Sequence, residues 1–453
     1  MRISRIAING MSRAAGKAAL AIVLGSVTFG TIDSSILVHA TEAVWVEPPS
    51  NEPKVIPQDR EELKKSLDQL KGRKSRLPLP EVPPGTVGSN GKIIVNNGLA
   101  RRTYLPEAWF AADFGNDPAM TLTYVYKTQC FWVVSRGNNC HYCLGHQEHK
   151  LHDAGLSDRQ IALLDYDWTQ LDPMLQKGVQ LAKQMTLSPH AITSKDIEAL
   201  RPDLTDPQII DLVYTIAMFN SVNRWTDALG IPQDQRFRDK VVDFSTPVDD
   251  EFKGKAGGKA AITKDEKPRV LPSFADAMEE LKLASTRQPR VALPSEAETR
   301  KLLSLPEEQK TVQDWERALA TFPQVGRKQL DGLRSMEEEG HLSPKIKAII
   351  AWTSARNNHA IATLAVAKKR FEKLGISEAD MAAIDQGNNL EPQEKLVALF
   401  AAKLTAHPQK ITDQDIEQLR EHFTDQQTAE IVYLIGAANM LDRLTETLGL
   451  RAL

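Results

Sequence analysis

Apolar positions at helical spacing dominate this chain. The clearest case is a long segment that begins at Thr205 and ends at Gly230. Its apolar positions, which fall largely on one helical period, are Ile209, Leu212, Val213, Ile216, Ala217 and Leu229. Residues 424–449 repeat the pattern, and strand-like alternation is scarce outside residues 92–104. The pattern therefore predicts an all-α fold.

The second half of the chain repeats the first. Residues 192–230 and 411–449 share many identities at one separation of 219 residues. The matching pairs include Ile192 and Ile411, Tyr214 and Tyr433, Asn220 and Asn439, Arg224 and Arg443, and Gly230 and Gly449. Further upstream, residues 155–157 match residues 375–377 at a separation of 220. A constant separation of this kind indicates two tandem units of about 170 to 180 residues.

Composition divides the chain into six segments. The predicted ranges are a signal peptide (1–40), a proline-rich and charged-helix segment (41–99), a first helical domain (100–231), a linker (232–272), a charged helix with a proline-containing segment (273–309), and a second helical domain (310–453). The proline-rich stretches at 41–58 and 77–91 are expected to be extended. A net charge of -3 gives no reason to expect nucleic acid or an acidic membrane surface as a partner.

The N-terminus has the order of a secretory signal. A basic segment precedes an apolar run from Ala18 to Gly30, and Val38-His39-Ala40 has the small residues of a signal-peptide cleavage site. The apolar run is shorter than the roughly 20 residues of a membrane helix, although an uncleaved anchor stays open. We therefore expect an exported protein, periplasmic or extracytoplasmic, with no membrane contact beyond the signal.

Candidate chemistry is concentrated at Cys140-His141-Tyr142-Cys143. Two thiols at this spacing can close a disulfide, and a helix N-terminus favours the thiolate. Asn139 is the expected N-cap, and Gly155 the expected end of the helix. The third cysteine, Cys130, lies in an apolar run and is expected to be an inert core thiol.

These residues resemble the alkylhydroperoxidase D-like, or carboxymuconolactone decarboxylase-like, family. The resemblance rests on the Cys140-to-Gly155 separation, on Asn220-x-x-Asn223-Arg224 and on Leu229-Gly230. It covers residues 100–231 well and 310–453 more weakly. It implies an all-helical domain in which Cys143 attacks a hydroperoxide and Cys140 resolves the product to a disulfide. A dithiol reductant would complete the cycle, with no cofactor and no metal.

Two positions depart from the family pattern. Gln147 stands where a histidine is expected, and Thr128 stands where a glutamate is expected. His146, three residues after Cys143, lies on a neighbouring part of the same helix and is the candidate replacement as proton acceptor.

The second unit lacks both cysteines, because it reads Asn357-Asn358-His359-Ala360-Ile361-Ala362-Thr363 at the corresponding place. The positions that recur despite this loss are therefore expected to be scaffold. Single-domain members of the family are oligomers, so the resemblance implies a pseudo-dimer in which the second unit replaces a partner subunit. A homo-oligomer of the whole chain stays open.

Other interpretations of the pair remain. Cys140, Cys143 and His146 could meet a zinc ion, although tetrahedral sites usually draw ligands from two separated elements. Covalent haem is disfavoured because Leu144 follows the second cysteine. A static disulfide in a binding protein, a thiol-disulfide exchange protein and a lactone-processing enzyme are the alternatives to a thiol peroxidase. His149 and His152 are expected to be solvated.

Overall fold

The computed structural model describes residues 55–88, 91–111, 117–260 and 271–452. The predicted signal at residues 1–40, and residues 41–54 of the proline-rich segment, lie outside these ranges. Helices make up 63% of the structure and strands 2%, which confirms the predicted all-α class. Within the described ranges, no helix combines the length and the apolar character needed to cross a membrane.

Nine helices lie before residue 232 in the described part of the chain. They are α1 (Arg60–Gln69), α2 (Asn96–Tyr104), α3 (Glu107–Phe110), α4 (Tyr124–Gly137), α5 (His141–Asp153), α6 (Asp158–Tyr166), α7 (Pro173–Leu187), α8 (Ser194–Glu198) and α9 (Asp206–Ala228). A short antiparallel hairpin follows, formed by β1 (Arg236–Phe237) and β2 (Lys240–Val241).

Ten further helices follow the hairpin in the described residues. They are α10 (Phe274–Lys282), α11 (Glu296–Leu303), α12 (Asp314–Ala320), α13 (Pro323–Glu338), α14 (Pro344–Asn358), α15 (Ile361–Lys373), α16 (Glu378–Asp385), α17 (Pro392–Ala406), α18 (Asp413–Arg420) and α19 (Asp425–Leu448).

The two longest helices, α9 and α19, begin and end where the sequence predicts. Thr205 and Thr424 cap their N-termini in capping boxes, in which a glutamine three residues later bonds back to the cap. Gly230 and Gly449 follow with positive φ angles of 60° and 64°. A left-handed residue satisfies the last carbonyls of a helix, and glycine adopts it without strain.

Helices α9 and α19 lie against each other along much of their length. Gly436 of α19 faces Ser221 of α9, and a Cβ at Gly436 would lie 2.9 Å from the Ser221 hydroxyl. Glycine therefore allows the two helices to approach closely at this point. Each helix also carries a buried arginine that bonds to a carbonyl in the other half of the chain: Arg224 donates to Thr405 (2.7 Å) and Arg443 to Thr186 (3.1 Å).

The hydrophobic core joins the two halves of the sequence. One cluster packs Phe131 and Trp132 of α4 with Leu444 and Leu448 of α19. A second cluster places Cys143 and Trp225 with Tyr433, again from both halves. Part of the apolar surface of each half is therefore buried against the other half, and this burial stabilises both together.

Residues 92–104 differ from the predicted strand-like pattern. Ile93 forms an isolated bridge with Val87, and α2 begins at Asn96 and occupies the remainder of this stretch to Tyr104. The Asp234 carboxylate accepts a hydrogen bond from the Asn96 N–H at the start of this helix, at 2.8 Å. A contact from a distant part of the chain therefore favours a helix where the local alternation favours a strand.

Candidate functional site

Cys140 and Cys143 lie at the N-terminus of α5. Cys140 is the N-cap residue, and Cys143 is in the first turn. The prediction that Asn139 is the N-cap was wrong: Asn139 adopts a left-handed φ of 52°, because the chain turns there between α4 and α5. Asparagine tolerates this conformation better than most residues. The predicted end of the helix is confirmed, since Gly155 follows it with a φ of 92°.

Both thiols approach one hydroxyl group. The Thr226 Oγ1 atom of α9 lies 3.2 Å from the Cys140 sulfur and 3.3 Å from the Cys143 sulfur. No disulfide joins the two cysteines in this structure. The Thr226 hydroxyl carries one proton, which it can donate either to the Val222 carbonyl at 3.0 Å, an ordinary bond within a helix, or to one of the two sulfurs. Helix α9 therefore holds the two sulfurs beside each other.

The environment lowers the pKa of the Cys143 thiol. Burial by itself raises that pKa, but hydrogen bonds from Cys140, Thr226 and Asn223 to the sulfur outweigh it. These bonds stabilise the thiolate, which is the reactive form of a cysteine. Asn223 is in turn held by Asn138, whose amide donates to it at 2.9 Å.

His146 is held by a carboxylate and not by a thiol. Its Nε2 atom lies 2.8 Å from Asp234 Oδ2, and the same oxygen accepts the Tyr142 hydroxyl at 2.7 Å. The His146 ring contacts two aromatic neighbours: Tyr142, tilted by 32° with centroids 4.5 Å apart, and Phe237, in an edge contact with centroids 4.9 Å apart. Among the described residues, no hydrogen bond joins His146 to Cys143. The structure therefore brings the two cysteines together and places His146 in a separate, adjoining pair.

The positions that depart from the family pattern offer no substitute base. Gln147 is buried, and the Thr128 hydroxyl donates to the Tyr124 carbonyl in its own helix. Residue Glu148 is also buried, but Arg60 binds it through two nitrogen atoms at 2.9 and 3.1 Å. The carboxylate that hydrogen-bonds to the predicted site residue His146 is Asp234.

The third cysteine and His149 are also buried. Cys130 is fully buried, which confirms its predicted place in the core, and burial raises the pKa of its thiol well above the usual range. The prediction that His149 is solvated was wrong, because its ring lies against Phe237 in an edge contact. The hairpin that carries Phe237 covers this face of α5, and the local sequence around His149 does not show that cover.

The described residues contain one group of side chains that could converge on a metal ion, namely Glu148, His152 and Asp158. Cys140, Cys143 and His146 do not form such a group. Cationic side chains already lie at the carboxylates, since Arg60 bonds to Glu148 and Asp158 and Lys64 lies 2.5 Å from Asp158. These two positive side chains neutralise the carboxylates, which is the role that a bound metal ion would otherwise have.

The thiols are well covered. Cys143 is 3% exposed and packs in the cluster that holds Trp225 and Tyr433. The segment after α9, part of the predicted linker, lies along the outer side of α5: a Cβ at Gly145 would approach the Gln233 side chain to 2.6 Å. A substrate must therefore be small, or the cover must move before it enters.

No known family model matches the chain, and no curated protein matches it.

Three residues of the site were not identified from sequence. Asn223 was noted only as part of the closing helix, whereas Thr226 and Asp234 carried no motif. Thr226 lies about one turn after Asn223, so the helical period of α9 already placed it on the same face. Asp234 gave no such signal, because it lies in a segment without periodicity.

Proposed function

We propose that the chain contains two tandem alkylhydroperoxidase D-like units packed as a pseudo-dimer. The helix order supports this proposal. The six helices α4 to α9 of the first half correspond in order to the six helices α14 to α19 of the second half. In each half, the second of these helices (α5 or α15) starts two residues after a residue with a positive φ angle. Those residues are Asn139 and His359, which correspond in the repeat.

Reciprocal polar contacts support the same proposal. Asn220 donates to the Thr186 hydroxyl and Asn439 to the Thr405 hydroxyl, at 3.2 and 2.9 Å. The arginine one turn after each asparagine then reaches the opposite half, as described for Arg224 and Arg443. An exchange of equivalent contacts is what a two-fold interface between like subunits produces.

We further propose that the first unit is a thiol peroxidase that reduces hydroperoxides through Cys143 and Cys140. The observation that carries this proposal is the placement of both thiols on the Thr226 hydroxyl at the N-terminus of α5, with the pKa of Cys143 lowered. The resolving cysteine must lie next to the attacking one, and here a single side chain holds both.

The proposed reaction has three steps. The Cys143 thiolate attacks the terminal peroxide oxygen, the O–O bond breaks, and the alkoxide leaves and takes a proton as the alcohol. Cys143 is then a sulfenic acid. The Cys140 thiol attacks that sulfur and expels water, which leaves a Cys140–Cys143 disulfide. An external dithiol reduces the disulfide and is itself oxidised, so the cycle needs no cofactor.

His146 is the proposed proton acceptor, with Asp234 in place of the family's glutamate. The 2.8 Å contact would stabilise an imidazolium once the proton has moved. Transfer from Cys143 then requires the imidazole to turn toward the thiol, or a water molecule between them.

Two alternatives are supported by specific observations. Burial of both thiols is what a static disulfide would show, and the engagement of His146 by Asp234 would suit thiol-disulfide exchange, which needs no base beside the attacking sulfur. The alternatives differ from the peroxidase in whether peroxide consumption depends on Cys143.

The test is peroxide consumption with dithiothreitol as reductant. Wild type should turn over, and Cys143→Ser should fall to the background rate. Cys140→Ser, measured without the reductant, should consume about one equivalent and stop. Cys130→Ser is the matched control, because it removes a buried thiol outside the pair. Equal rates of peroxide consumption by wild type and Cys143→Ser would overturn the peroxidase. If the wild-type protein then still catalysed thiol-disulfide exchange, the result would favour the exchange protein.

Export and a signal that ends near Ala40 belong to the same proposal. Mass spectrometry of the full chain after expression in a bacterial host tests it. A periplasmic product that begins near Thr41 is the expected result, and an unprocessed cytoplasmic product would contradict it.

A further inference from the structure

The second half of the chain encloses a cavity of about 250 Å³. Side chains of α13, α14, α15 and α19 line it, with an apolar floor that includes Leu330, Ile350 and Leu434. Its edge includes Arg370 and Glu337, which are 29% and 46% exposed and pair with each other. The cavity therefore reaches the surface beside this ion pair.

Two alanines create much of the space. Ala351 and Ala438 line the cavity, and the repeat places them at the positions of Phe131 and Phe219 in the first half. There the two phenylalanine rings stack, with centroids 3.4 Å apart and planes 14° from parallel. In the first half, two stacked rings therefore fill the volume that stays open in the second half.

A buried carboxyl group lies at one end of the cavity. Asp442 accepts a 2.7 Å hydrogen bond from the Asn358 amide and contacts the Thr363 hydroxyl. In the repeat, Asp442 takes the place of Asn223, and Thr363 takes the place of Cys143. The second unit has therefore exchanged the thiol and its amide partner for a hydroxyl and a carboxyl. Burial raises the pKa of Asp442 to about 7.

The charges around the cavity indicate which polar group a ligand would carry. The basic side chains Arg334, Lys347 and Arg370 of the lining lie beside carboxylates, namely Glu316 (3.7 Å), Glu430 (3.9 Å) and Glu337. An ammonium group would lose its hydration in this apolar space, and Asp442 disfavours a carboxylate. A neutral hydroxyl meets neither penalty, because it can donate to the ionised carboxylate or accept from the protonated one. A flat ring fits the space that two stacked side chains vacate.

We propose that this cavity is a binding site for a small phenol, with the ring between Ala351 and Ala438 and the hydroxyl on Asp442. The site is separate from Cys140 and Cys143, so it does not depend on the thiol chemistry proposed above. An apolar cavity of about 150 Å³ is already enough to bind benzene.

Isothermal titration calorimetry with phenol tests the proposal on the full chain. We expect a dissociation constant of about 0.1 to 1 mM for wild type and for Cys143→Ser. Ala438→Phe and Ala351→Phe restore the rings of the first half, and each should weaken phenol binding at least tenfold. Asp442→Asn keeps the shape of the side chain and should weaken binding several-fold at pH 8, where it removes the carboxylate.

Ala379→Phe is the matched control, because Ala379 is an exposed alanine of α16 outside the cavity. Thermal unfolding of each variant shows that it is folded. Benzoate and benzylamine should bind at least tenfold more weakly than phenol. Absence of phenol binding to wild type, or equal binding by Ala438→Phe and Ala379→Phe, would overturn the site. Tighter binding of benzylamine or benzoate would overturn the choice of ligand.

Discussion

His146 and Asp234 are joined by a 2.8 Å contact between Nε2 and Oδ2. The two residues come from different parts of the chain: His146 lies in α5, and Asp234 lies between α9 and β1. Asp234 also accepts the Tyr142 hydroxyl and the Asn96 N–H. One carboxylate thus fixes the start of α2, one face of α5 and the segment that follows α9.

The first prediction concerns this carboxylate. Asp234→Ala leaves the buried Tyr142 hydroxyl and the Asn96 N–H without their acceptor, so we expect a loss of roughly 2 to 4 kcal/mol in the free energy of unfolding. Denaturant unfolding measures it. Hydrogen exchange should accelerate in α2 and in residues 232–244. Asp239→Asn, an exposed change in the hairpin that follows Asp234, is the control. Equal stability of the two variants would contradict this role.

The structural features that depend on residues close together in the sequence were predicted correctly. The ends of α9 and α19 follow from a threonine, a glutamine three residues later and a closing glycine, all within one helix. The buried Cys130 follows from the apolar run around it. Such features depend on neighbours in sequence, and a pattern can show them.

Contacts between residues that are far apart in the sequence could not be predicted from such local patterns. Asn139 has the chemistry of an N-cap, but the turn between α4 and α5 places it in the left-handed region and moves the cap to Cys140. Asp234 lies in an aperiodic segment, and its role depends on the docking of that segment on α5. The candidate pair of thiols was therefore predictable, whereas the groups that surround it were not.

A second prediction concerns the hydroxyl shared by the thiols. Thr226→Val preserves the shape of the side chain but removes a hydrogen bond to Cys143, so the pKa of Cys143 should rise. A hydrogen bond to a charged group contributes about 1.5 kcal/mol, equivalent to roughly a tenfold effect. We expect alkylation of Cys143 by iodoacetamide at neutral pH to slow by about that factor.

Thr215→Val provides the control for this measurement. Thr215 is a buried threonine in the same helix, and its hydroxyl bonds to Asp211 and not to a thiol. It should alter stability without changing the pH at which Cys143 becomes reactive. The same alkylation profile for Thr226→Val and wild type would remove Thr226 from thiolate stabilisation.

A third prediction tests the contact between the two halves. Arg224→Ala and Arg443→Ala each remove a buried guanidinium that bonds to a carbonyl of the other half. We expect each to cost about 2 to 4 kcal/mol, because the carbonyl and the asparagine partner lose their donor. Tryptophan fluorescence and circular dichroism should follow one shared transition, displaced by a similar amount in both variants. Two separated transitions in wild type would indicate halves that unfold independently.

The final prediction follows from the buried carboxyl of Asp442. Burial raises its pKa from 3.8 to about 7, so the folded state binds the proton more tightly than the unfolded state does. The stability that this group contributes is therefore fully present below about pH 4 and is lost as the pH rises to 7, by roughly 4 kcal/mol. Glu446 raises the pKa further, whereas Thr363, Asn358 and Arg443 lower it.

Asp442→Asn should remove this pH dependence. An amide fits such a position, because Asn223 occupies the equivalent place in the first half and bonds there to Asn138 and Ser135. We expect the variant to be more stable than wild type at pH 8, and the difference between the two unfolding curves to rise between pH 4 and pH 7. Asp331→Asn, an exposed change in α13, should leave the wild-type curve unchanged. A difference curve for Asp442→Asn that stays flat across this window would show that Asp442 ionises in the folded protein as it does in water.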